Sequence, residues 1–290
     1  MFPIDEWKER GDYLGYRGRR IFYLDEGAGP PLVLIHGFPT SSWDWCRLWR
    51  PLTERYRCIA FDMIGFGFSD KPPHHPYSLF DQCDLHEVLL DKLGITQAHV
   101  LAHDYGDTVA QEWLARQAEG SERVALLSVA MLNGGIIYGK HHPRFMQRLL
   151  ASPVGRFVGP LMTRHRFDRS FPPIFGADTQ PDANDLAAYW SGIEYNRGTR
   201  VLYRIIRYLG ERKRHAGRWV PVLGDAPVPL TFIVGEEDPI SGRDMADAFE
   251  ALGPAQRCLR LPGIGHYPQM EAPEATLAAY LAFRDSIAAR

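Results

Sequence analysis

"LAHDYGDTVAQEW" (residues 101–113) places an aspartate where an apolar run gives way to a helix. Ala98, Val100, Leu101 and Ala102 read as a strand buried on both faces. The stretch from Tyr105 onward reads as helix. Between them, Ala102-His103-Asp104-Tyr105-Gly106 follows the small-x-nucleophile-x-Gly order of a sharp strand-to-helix turn, which lifts its central side chain above a sheet. The amides that open the helix favour an ionised carboxylate there. Asp104 is therefore either the cap of that helix or a nucleophile, and no G-x-S-x-G offers a serine instead.

The surrounding chain has the rhythm that such a turn needs. Apolar runs at 19–26, 31–37, 57–62, 98–103, 124–132, 228–235 and 257–262 read as strands, several of them hydrophobic throughout, as in a parallel sheet. Helical patterns lie between them. The clearest is Leu79–Leu93, with Leu85, Val88, Leu89 and Leu93 on one stripe; Ser78 and Asp81 are expected to form its capping box and Gly94 to stop it. This alternation predicts an α/β fold, a mostly parallel sheet with helices on both faces. Residues 134–222 offer no convincing strand and read as an inserted helical cap, leaving 1–133 and 223–290 as the core. The cap carries 15 Lys and Arg against 6 Asp and Glu, whereas the rest of the chain carries 18 against 29. Its positive balance is either a solvated face or an attraction for anionic substrates or surfaces.

Composition narrows the class. Of 290 residues, 45% are hydrophobic, enough for a large core, and a net charge of −2 gives no reason to expect nucleic acid as a partner. Four cysteines without paired spacing argue against a disulfide framework or a zinc site and fit a reducing compartment. The polar opening MFPIDEWKERGDY lacks a signal core, and no apolar run is long enough for a membrane span. A cytoplasmic location is expected. No metal or organic cofactor is implied, and the oligomeric state stays open.

Two further segments favour the nucleophile. "FIVGEEDPIS" (232–241) sets Asp238 just past a strand, with Glu236 and Glu237 as rivals. "LPGIGHYPQME" (261–271) sets His266 in the turn after the next strand. Nucleophile, acid, histidine is the chain order of one hydrolase triad, with each member at a strand's carboxyl end. "LIHGFPTSSWDW" (34–45) adds the motif His36, Gly37, Pro39, which can turn a backbone N–H toward the site. The Phe38 and Tyr105 N–H groups would form an oxyanion hole. Trp43, Trp45 and Trp49 read as packing. His103 reads as a structural neighbour of the turn, and "ERKRHAGR" (211–218) as a solvated helix end.

"HGFPTSSWDW" (36–45), "DMIGFGFSDKP" (62–72), "HDYGDTVAQE" (103–112) and "GHYPQMEAP" (265–273) resemble the aspartate-nucleophile branch of the α/β-hydrolase superfamily, which contains epoxide hydrolases and haloalkane dehalogenases. "GFGFSDKP" (65–72) and "NGGI" (133–136) are most similar to the mesoderm-specific transcript subfamily and its bacterial relatives. The resemblance implies a two-step hydrolysis of a small, largely apolar substrate. Asp104 would attack an sp³ carbon to give an alkyl ester, and His266, oriented by Asp238, would activate the water that cleaves it. An epoxide is the first expectation and a haloalkane the second; an esterase or a non-catalytic ligand-binding fold are the rivals. The dehalogenase pattern carries Trp after the nucleophile and often Asn after His-Gly, where this chain has Tyr105 and Phe38. Tyr203, in "VLYRIIRY" (201–208), resembles the ring-opening tyrosine of epoxide hydrolases, its alternative being plain packing. The second tyrosine lacks a clean counterpart. Phe145 stands where it would be expected, and Tyr138, Tyr189 and Tyr195 are possible substitutes.

Overall fold

The computed structural model describes residues 2–253 and 256–289. One sheet is built from Asp12–Tyr16 (β1), Arg19–Glu26 (β2), Pro31–Ile35 (β3), Arg57–Phe61 (β4), Gln97–His103 (β5), Ala125–Leu132 (β6), Leu230–Gly235 (β7) and Cys258–Leu261 (β8). Their order is β1-β2-β4-β3-β5-β6-β7-β8. The first two pairings, β1 with β2 and β2 with β4, are antiparallel, and every later one is parallel. The interior strands are apolar on both faces: Leu32, Val33, Leu34 and Ile35 of β3 and Val100, Leu101 and Ala102 of β5 are all inaccessible. This is what helices on both sides of a parallel sheet demand.

The order of the strands locates the site. From β3 the chain crosses to β4 on one side, and from β4 it crosses back over β3 to β5 and onward to β6. Right-handed crossovers in opposite directions put their helices on opposite faces. Neighbouring β3 and β5 therefore send their following segments apart, and a crevice opens at their carboxyl ends. Phe38 and Asp104 both sit there.

One strand is unanticipated and one local expectation needs correction. β1 lies at the sheet edge, where "DYLGY" has too little apolar character to announce a strand. The helix Leu79–Lys92 starts and stops as expected, with the Ser78 side chain accepting from the Phe80 N–H. Asp81 does not close a capping box. It instead accepts from the Tyr16 hydroxyl at 2.8 Å and pairs with Arg17 and His75. Long-range charge and hydroxyl partners outbid a local cap.

Among the described residues no strand occurs between Leu132 and Leu230. That insertion is a succession of short helices, interrupted at Asn196 and Arg197, both with left-handed φ (51° and 58°). Among the described residues no helix is long and apolar enough to cross a membrane.

Candidate active site

Asp104 ends β5 with φ 47° and ψ −103°, a strained conformation for a residue with a side chain. The turn is sharp because the helix Tyr105–Glu119 starts immediately and packs close. A Cβ on Gly106 would lie 2.5 Å from the Ile35 carbonyl oxygen, so only glycine fits. Asp104 occupies the N-cap position, yet its side chain makes no capping hydrogen bond. Its Oδ2 instead accepts from the Phe38 N–H at 3.1 Å. The helix-cap reading therefore fails, and the carboxylate is free to face the crevice.

Asp238 and His266, the other two residues expected from the chain order, meet each other. His266 Nδ1 lies 2.8 Å from Asp238 Oδ2, and both side chains are buried. Asp238 is fixed by the Ile240 N–H at 2.8 Å and by Asn133 Nδ2 at 2.9 Å. The rivals turn outward, Glu237 to Arg243 and Glu236 toward Arg260. His266 is positioned from behind. Its carbonyl accepts from His103 Nε2 at 2.7 Å, and Glu271 gathers the N–H groups of Gly265 and Tyr267 at 2.8 Å each. His36 is a strut: its Nε2 accepts from the Met63 N–H at 3.1 Å, and burial lowers its basicity. Gly37 is required because a Cβ there would meet His103 Nδ1 at 2.6 Å.

Burial alone would raise the Asp104 carboxyl. The charges of His266 and Arg212, followed by His103 and the Phe38 N–H, outweigh it and hold the group below the usual carboxylate range. Burial would likewise lower His266, but Asp238, by charge and hydrogen bond, and then Asp104 raise it to about 9. Charged neighbours thus move the two groups in opposite directions, the Asp104 carboxyl down and the His266 imidazole up.

The insertion supplies what the sequence hides. Arg212, 4% exposed, donates from Nη2 to the Asp104 carbonyl at 3.0 Å and from Nε to Thr108 Oγ1 at 2.8 Å. The same Nη2 is 3.8 Å from Asp104 Oδ1. The expectation of a solvated helix end at 211–218 is therefore corrected at this residue, whereas its neighbours Lys213 and Arg214 are exposed. Tyr208, also buried, lies beneath the Arg212 guanidinium (4.6 Å to the ring centre) and packs 5.9 Å from Phe38. Burial and the Asp104 charge push its phenol up.

Tyr203 is not brought to this site. Its hydroxyl accepts from Arg204 Nε at 3.0 Å, and the residue lines an outer hollow with Ser152, Arg156 and Arg207. The expectation that it overhangs Asp104 is corrected: Leu202, on the same short helix Leu202–Ile205, lines the cavity, whereas Tyr203, one residue on, lines the outer hollow. Phe145 and Tyr138 are exposed, and Tyr195 packs against Phe68. Trp43, Trp45 and Trp49 are buried packing residues. Asn133, the first residue of "NGGI", and Glu271 act as supports that the sequence reading left unassigned. Asn133's left-handed φ of 45° was not foreseeable without a turn signal beyond the two following glycines.

Between the strand ends and the insertion lies a cavity of about 90 Å³. Phe38, Pro39, Ile240 and His266 form its floor; Met146, Leu150, Phe171 and Leu202 are among its apolar walls.

Comparison with known proteins agrees with this architecture. Residues 30–273 match the family described as alpha/beta hydrolase fold. The chain is 39% identical to human mesoderm-specific transcript homolog protein, across 98% of this chain and 88% of that one. It is 26% identical to haloalkane dehalogenase 2 of Mycobacterium tuberculosis, across 90% of each. A solved α/β-hydrolase-fold protein from Burkholderia ambifaria superposes with a TM-score of 0.78 at 26% identity, covering 93% of this chain and 97% of that one. A doubly wound sheet with its crevice at β3 and β5, a matched span from 30 to 273 and a 39%-identical relative along nearly the full chain lead to one conclusion: this chain belongs to the α/β-hydrolase family.

Proposed function

We propose that the protein hydrolyses a small apolar alkyl electrophile through an ester on Asp104, with an epoxide as the substrate class. The observation that carries the reading is a carboxylate at a strained strand end, unused as a helix cap, beside a buried His266–Asp238 pair. An ionised carboxylate attacks sp³ carbon without a base. With an acyl carbon it would give only a reactive anhydride.

In the first step Asp104 bonds to an epoxide carbon and the ring C–O bond breaks. Tyr208 gives its proton to the alkoxide, and the phenolate regains one from the His266 imidazolium. Esterification removes the Asp104 charge that helps hold the His266 proton, so the imidazole becomes available as a base when it is needed. In the second step it takes a proton from water, and the hydroxide adds to the Asp104 carbonyl carbon. The Phe38 N–H already touches the oxygen that becomes the oxyanion, and the Tyr105 N–H is the second donor. Collapse releases the diol, which takes the proton back. The regenerated Asp104 acid gives its proton to His266, which restores the starting protonation.

The haloalkane reading is supported by the 26%-identical dehalogenase. Against it, Phe38 carries no side-chain donor and the Tyr105 hydroxyl is buried, in aromatic packing rather than at the cavity. The deciding experiment incubates His266→Gln with small terminal epoxides and haloalkanes and weighs the intact protein. A stoichiometric adduct on Asp104 with epoxides supports the reading, and one with haloalkanes alone moves the second reading ahead. In heavy-oxygen water, single turnover of the wild type should label Asp104; label confined to product would falsify the ester route.

A further inference from the structure

Every large apolar side chain that stands exposed among the described residues falls between 138 and 161: Tyr138, Phe145, Val154, Phe157 and Leu161, at 44–73% exposure. Three short helices, Phe145–Ala151, Gly155–Val158 and Gly159–Leu161, pack on one another and carry four of them on or beside the same layer. Residues 140–169 hold seven Lys and Arg and a single acid, Asp168, which is itself paired with Arg164. Arg144, Arg148 and Arg156 are exposed, and the Arg156 guanidinium lies 4.5 Å over the Phe157 ring. The inner side of the layer, through Met146, Gln147 and Leu150, walls the substrate cavity.

We propose that this outer face docks on the surface of an anionic phospholipid bilayer. Contiguous apolar side chains in water are unfavourable and mark a contact surface. Phenylalanine and leucine at headgroup depth, with arginines reaching phosphates around them, is the chemistry of an interfacial anchor. A second copy paired face to face would set the exposed Arg144, Arg148 and Arg156 against their own counterparts. Apolar molecules concentrate in bilayers, and this layer is the wall between such a source and the cavity. The inference goes beyond the reaction at Asp104 and does not depend on it.

The test pellets the full chain with vesicles of phosphatidylcholine, with and without phosphatidylglycerol, at low salt and at about 0.5 M salt. Partition should be at least ~10-fold stronger with phosphatidylglycerol and should weaken in salt. Arg148→Glu with Arg156→Glu should remove that preference, and Phe145→Ser with Phe157→Ser should lower binding to both vesicles. These side chains are exposed, so melting temperatures should stay at the wild-type value and certify folding. No pelleting, equal partition into the two vesicles, or variants that bind like the wild type would overturn the proposal. So would lipid-free self-association dispersed by the same substitutions, which would assign the face to a second copy.

Discussion

The carboxyl ends of the strands and the helical insertion meet at one cavity but are built on opposite principles. At the strand ends, the candidate site residues hold one another by hydrogen bonds: Asp104 by Phe38, His266 by Asp238, Asp238 by Asn133 and Ile240, and the His266 carbonyl by His103. The insertion contributes mainly apolar walls, with Arg144, Gln147 and Ser170 among them, and touches Asp104 itself through Arg212, which lies over the Tyr208 ring. The sheet can hold atoms in place because neighbouring strands share backbone hydrogen bonds. A succession of helices of three to twelve residues has fewer such constraints and tolerates exchange of side chains. In the proposed reaction the strand ends would carry bond making and the insertion would add the Tyr208 proton and the walls that select among substrates.

The sharpest way to break that division is Asp104→Asn. Turnover should fall by ~10⁴-fold or more, as for a nucleophile that acts as part of a unit. Residual activity near the wild-type level, measured on the substrate found by adduct formation, would return the chemistry to the insertion.

Next in size is Tyr208→Phe. It should slow epoxide alkylation by ~10²–10⁴-fold with little change in KM, because the phenol acts in the transition state. Tyr203→Phe, whose hydroxyl meets Arg204 outside the cavity, should leave pre-steady-state rates unchanged. A reversal of the two would reinstate the expectation drawn from sequence.

Arg212→Met should cost about 1–3 kcal/mol of stability, read by denaturant unfolding, because two buried acceptors lose their donor. It should also raise the Asp104 carboxyl, which Arg212 helps to depress, and so move the acid limb of kcat/KM to higher pH. Arg212→Lys should restore part of both. Loss of stability without movement of the acid limb would confine Arg212 to packing.

The smallest expected effect is on stability against pH. The folded value of His266, about 9, lies above the ordinary imidazole value near 6.5. Its ion pairs therefore stabilise the fold fully below about 6.5, and that contribution is lost as pH rises through about 9. Melting temperature should fall across this window, and less so in Asp104→Asn, where one partner charge is gone.

Much of this was legible in the residues. Arg19–Glu26 is a strand with the expected bounds because its apolar centre Ile21–Leu24 is closed by charges at both ends, and the meeting of Asp238 with His266 follows from their places just past neighbouring strands. Legibility stopped where partners are distant in sequence. Asp81 looked like a local cap but answers to Tyr16, and Arg212 looked solvated because its neighbours are. The Tyr203 expectation failed for a related reason: on a four-residue helix a single residue of phase decides which side chain meets the cavity, and here it is Leu202.

The bond from Arg212 to the backbone of Asp104 bears on any attempt to graft this insertion onto another scaffold. The guanidinium reads two features of the host, a carbonyl at a bent strand end and the Thr108 hydroxyl one turn into the following helix. A donor insertion without the arginine, or a host without the threonine, would leave the seam with a buried unmet charge or unmet acceptors. Chimeras should thus be designed with residues 104, 108 and 212 moved together, as one inheritable unit that spans the two lobes.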